Sequence, residues 1–134
     1  MIQLEETQQK LTPQEIIEFE TEMNVKLPQS FIEQIMSSNG GYPVDDLYYM
    51  GYQIDEFFSI KYGDETISEQ LKLLEGFFDN KKTIPFADSN GGIIYIDTID
   101  SNKVSIRYSD GQTDFLADSF KKFIDGLRDE PYDF

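Results

Sequence analysis

Three β-rich runs separated by two compact turn clusters, TIPFADSNGGIIYIDTIDSNKVSIRYS over residues 83–109, constrain this chain more than any other stretch. They read as an antiparallel meander. Residues 83–87 form the first strand, and Pro85 lacks a ladder donor, which favours an edge or a bulge near it. Residues 88–92, Asp-Ser-Asn-Gly-Gly, form the turn: glycine tolerates positive φ, and short polar side chains bond their own backbone. On the second strand, 93–97, Ile94 and Ile96 share one face and Ile93 and Tyr95 the other, so both faces are at least partly covered. On the third, Val104, Ile106 and Tyr108 alternate with Ser105, Arg107 and Ser109, which leaves one side to water. A sheet of this kind must bury its apolar face under helices.

The flanking sequence supplies those helices. Thr12-Pro13-Gln14-Glu15 is a capping box with proline at the first helical position. The helix it opens places Ile16, Phe19 and Met23 inward and an acidic stripe, Glu15, Glu18 and Glu22, outward. Asn24 ends that helix. Pro28 restarts the chain as a second, with Phe31, Ile32, Ile35 and Met36 on one face, closed by Asn39-Gly40-Gly41. A third helix follows the caps at 64–69, and its Ile67, Leu71, Leu74 and Phe78 fall within roughly 60° of arc. A short strand is expected over Thr113–Ala117. Asp118 or Ser119 then caps a last helix, with Phe120, Phe123, Ile124 and Leu127 inward. Residues 57–62 are expected as a strand joining the sheet, with Phe58, Ile60 and Tyr62 on one face. Residues 42–56, YPVDDLYYMGYQIDE, hold no period and read as a long surface loop, a feature often functional in a compact domain. The fold class is thus α+β: one domain over 1–134, an antiparallel sheet packed with about four helices, and looser tails at 1–11 and 129–134.

Composition narrows the chemistry. The 134 residues contain no Cys and no His, which removes disulfides, a thiol nucleophile, and the commonest general base and metal ligand. The core must be aromatic, since the chain has 11 Phe and 8 Tyr but no Trp. There is no signal-like start and no long apolar run, so a cytoplasmic protein is expected. Against 11 basic residues stand 26 acidic ones, a net charge of −15. Residues 1–60 carry 11 acids and two lysines, so most of the excess lies in the front half. Such a surface repels nucleic acid phosphates and attracts basic proteins; it can also serve merely as a solubilising coat.

Individual constellations offer little catalysis. The 88–92 turn lacks the Gly-Lys-Ser/Thr ending of a phosphate loop. A calcium loop starting at Asp88 would need Gly where Ile93 stands and Glu where Ile99 stands. The pairs Asp45-Asp46, Asp55-Glu56 and Asp64-Glu65 could do acid–base work only if burial raised one pKa. No enzyme, cofactor or metal is expected. In the 42–56 segment, Tyr48, Tyr49 and Tyr52 could anchor a partner while Asp45, Asp46, Asp55 and Glu56 meet its cations; equally, the rings could pack over the first two helices. The Glu15, Glu18 and Glu22 stripe is a further candidate contact or a solvated face.

Leu27-Pro28, Phe31, Asn39-Gly40-Gly41, Ile84-Pro85-Phe86-Ala87 with the 88–92 turn, and Ala117-Asp118-Ser119-Phe120 with Phe123 and Leu127 resemble, in order, the SUKH superfamily. That group includes fungal cell-wall-assembly regulators and bacterial toxin-immunity proteins. The resemblance implies helices on a mainly antiparallel sheet, and in small bacterial members the neutralisation of a toxin, often a nuclease. Its motifs read as structural, not catalytic. The expected function is therefore that of an immunity protein. It would capture a toxin domain with a basic active cleft electrostatically, as a monomer or weak dimer, without touching nucleic acid or membrane. The alternative is a non-enzymatic regulatory scaffold.

Overall fold

The computed structural model describes residues 2–74 and 82–131. In chain order the elements are β1 (Leu4–Glu5), α1 (Pro13–Met23), α2 (Gln29–Ser37), β2 (Tyr42–Pro43), β3 (Tyr48–Tyr49), β4 (Tyr52–Gln53), β5 (Glu56–Phe57), α3 (Ile67–Leu73), β6 (Thr83–Ser89), β7 (Gly92–Asp97), β8 (Lys103–Arg107), β9 (Thr113–Ala117), α4 (Phe120–Asp125) and β10 (Leu127–Arg128). Strands β5 to β9 form one antiparallel sheet in sequence order; β1 pairs with β2, and β10-β3-β4 make a third small sheet. This is the expected α+β architecture. Among the described residues no helix is long and apolar enough to cross a membrane.

The meander forms as its pattern dictates. Asn90 and Gly91 take φ of 48° and 84°, so a two-residue turn of the I′ kind joins β6 to β7 and matches the strand twist. The β6–β7 register slips between Pro85 and Ala87, an irregularity beside the proline that has no N–H to give the ladder. Ile84, Ile94, Ile96, Val104 and Ile106 are wholly buried on the sheet. An aromatic cluster covers them: Phe120 meets Phe31 and Phe86 edge-on, each at 5.1 Å between centroids, and Phe123 meets Phe86 at 5.4 Å. Each such pair adds about 0.5–1.5 kcal/mol beyond area burial.

Four expectations change. Residues 42–56 are not a loop but a chain of two-residue strands: β2 pairs with β1, β3 with β4 and β10, and β5 is the first strand of the main sheet. The strand expected over 57–62 lasts only to Phe57 within the ladder. Lys61 and Gly63 then take φ of 68° and 98° and turn the chain away, so Phe57, Phe58, Ser59 and Ile60 are all buried without alternation. Helix α4 ends at Asp125, and Leu127 belongs to β10, opposite Tyr49. The N-terminal segment expected as a tail is instead tied down: β1 pairs with β2, Gln8 N–H donates to Asn39 O at 3.0 Å, and Leu11 is buried. Of the α3 stripe, Ile67 is fully buried, and Phe78 lies outside the described residues.

Asn39 fastens these pieces. It is 1 % exposed, and its amide donates to Gln9 O at 2.9 Å and Ile60 O at 3.0 Å while its Oδ1 accepts from Ile60 N–H at 2.8 Å.

Candidate functional site

The β3–β4 hairpin turns at Met50 and Gly51, with φ of 46° and 89°, and this turn decides where the tyrosines point. Tyr49 goes inward. It is 7 % exposed, stacks on Phe123 at 4.8 Å, and its hydroxyl donates to Leu116 O at 2.8 Å. It is a core residue, not a partner anchor. Tyr52 is half-buried, and its hydroxyl donates to Asp114 Oδ2 at 3.1 Å. Tyr48 is half-buried, and Met50, at the tip, is the most exposed large apolar side chain among the described residues.

Glu15 also leaves the candidate surface. The capping box folds its carboxylate back onto Thr12 N–H at 2.9 Å, where Tyr62 OH donates at 2.6 Å and Lys61 Nζ sits at 2.7 Å. Hydrogen bonds from Lys61, Tyr62 and Thr12 hold its pKa down at about 2. Glu18 and Glu22 remain exposed on α1, beside the same shallow depression as Glu15.

The other carboxylates separate into two places. Asp55 is exposed and accepts from Asn90 N–H at 2.8 Å, which fastens β5 to the β6–β7 turn. Glu56 sits directly opposite Asp88 on the neighbouring strand. Burial, then Asp88, then Glu65 push Glu56 up to about 7; burial, then Asp55, push Asp88 up to about 6. One Asp88 oxygen, Oδ1, is buried without a hydrogen-bond partner. Glu56 and Glu65 border a small depression with Glu6, Asp64 and Tyr42. Among the described residues no group of three or more acidic side chains is placed to hold a metal ion.

Asp45 and Asp46 lie elsewhere, on the rim of a groove of about 390 Å³. Its apolar floor comes from four segments: Ile2 before β1, Val44 and Leu47 between β2 and β3, Ile124 on α4, and Leu127 on β10. Asp125 and Asp129 complete the rim. Sequence reasoning missed Ile2, Ile124, Leu127, Asp125 and Asp129, because only the pairing of β10 with β3 brings the chain's two ends beside residues 43–47.

The model of the SMI1 / KNR4 family (SUKH-1) matches residues 10–126. The chain belongs to this family. SUKH-1 membership supports an immunity protein or a related regulator. No curated protein and no solved structure matches the chain. The matched segment of this SUKH-1 chain includes Leu27-Pro28, the aromatic cluster and the meander, whereas Ile2, Leu127 and Asp129 of the groove lie on its flanks.

Proposed function

We propose that this SUKH-family chain is a non-enzymatic immunity protein that binds a basic toxin domain, of nuclease type, and blocks its active cleft in the cytoplasm. One observation carries the reading: its concave surface is acidic. Three depressions among the described residues are each lined by three or four carboxylates, and Lys61, the single cation among their lining residues, already neutralises Glu15. A nuclease must present Lys and Arg to hold phosphates, so a negative, concave surface competes for the cleft that its substrate needs. The long-range field of a −15 chain speeds that encounter, and short-range contacts then set its lifetime.

Co-expression tests this. Where the gene immediately upstream encodes a toxin domain, growth of cells expressing it should be restored by this chain, and not by a charge-neutralised variant that folds equally well. Failure of the intact chain to restore growth while it binds a cell-wall regulator would favour the scaffold role.

A further inference from the structure

The groove that carries Asp45 and Asp46 joins a preformed apolar floor to an acidic rim. Val44 N–H donates to Gln3 O at 3.4 Å and Ile54 N–H to Leu47 O at 2.8 Å, while Ile2 N–H donates to Gln34 Oε1 at 3.2 Å. Its walls are therefore held by hydrogen bonds, which reduces the ordering cost of binding. Val44 is 49 % exposed, an aliphatic side chain left open between carboxylates.

The rim charge is uneven. Lys121 Nζ holds Asp125 at 2.8 Å, and Arg128 donates to the carbonyls of Asp125 and Leu127. Asp45, Asp46 and Asp129 are exposed and make no salt bridge among the described residues.

We propose that this groove seats a cationic–apolar segment of a protein partner, one aliphatic or aromatic side chain lying on the floor with flanking Lys or Arg at Asp45, Asp46 and Asp129. The proposal rests on the immunity reading and adds the docking place and the chemistry recognised there. Charge complementarity selects this occupant. A second copy would bring another −15 to the contact, and a neutral apolar ligand would shield the aspartates from water without pairing them. About 390 Å³ takes one large side chain and its neighbours' stems, a hot-spot pocket inside a wider interface.

The test follows backbone amide shifts of the full chain with the peptide Lys-Lys-Leu-Lys-Lys, capped at both ends. Saturable shifts should centre on Val44, Leu47 and Ile124. Val44→Asn and the Asp45→Asn/Asp46→Asn pair should each weaken binding at least fivefold, and replacing the peptide's leucine by alanine at least threefold. Shifts centred elsewhere, or an alanine peptide that binds equally, would overturn the proposal. So would self-association abolished by Val44→Asn, because a second copy would then own the groove. The purified toxin domain separates the two readings. Full toxin binding by Val44→Asn would overturn the groove as the docking place and leave the immunity role standing. Peptide binding with no toxin binding by the unaltered chain would remove the immunity role and keep the groove as a cationic-peptide site.

Discussion

Glu56 and Asp88 face each other directly across the β5–β6 ladder, two carboxyls in a register where like charges repel. Both fold into positions that favour the protonated form, Glu56 at about 7 and Asp88 at about 6. A carboxyl whose pKa is higher folded than unfolded binds its proton more tightly in the native state. Its contribution is complete below the unfolded value and is lost as pH rises through the folded one. Stability should therefore fall between about pH 4.5 and pH 7, and Glu56→Gln should flatten that limb and stabilise the protein at pH 8 by about 0.5–1 kcal/mol. Urea midpoints across pH measure both.

Glu15 works in the opposite direction. Held at about 2 by Lys61, Tyr62 and Thr12, it contributes stability above its unfolded pKa and loses it as pH falls toward 2. Glu15→Gln should soften the acid limb below about pH 4.5 and leave the neutral limb in place, so the two carboxyls bracket a stability maximum near pH 5.

Asn39→Ala should be among the most damaging substitutions outside the apolar core. It strands the N–H and C=O of buried Ile60 and removes the bond to the Gln9 C=O. The expected cost is about 2–4 kcal/mol, read from denaturant unfolding.

Gly126→Ala tests the inward placement of Tyr49. Gly126 has φ of −88°, which any residue adopts, yet a Cβ there would lie 2.7 Å from the Tyr49 ring. Overpacking against a ring already stacked on Phe123 should cost about 1–3 kcal/mol. Tyr49→Phe, which removes only the bond to Leu116, should cost about 1 kcal/mol. Substitution at Tyr48 should cost far less than either.

The meander, α1, α2 and the Ser119 cap were legible because each repeats a period or a cap chemistry within a few residues. Residues 42–56 were not, since strands of two residues carry no period and only their pairing partners reveal them. Glu15 shows the same limit in the candidate site. Helical spacing groups it with Glu18 and Glu22, but its burial depends on Lys61 and Tyr62, beyond α2 and β5 in the chain. The candidate carboxylates were thus legible as types, while the division of all but Asp55 among three depressions was set by contacts between distant segments.

The most direct test is calorimetric titration of a catalytically inactive, basic nuclease toxin domain, sought first as the product of the adjacent upstream gene, at about 50 mM and about 500 mM salt. Capture by an acidic concave surface predicts one-to-one binding that weakens at least tenfold at the higher salt, and further on Asp45→Asn/Asp46→Asn. Binding that is indifferent to salt and to those substitutions, or no binding at either salt, would contradict the account.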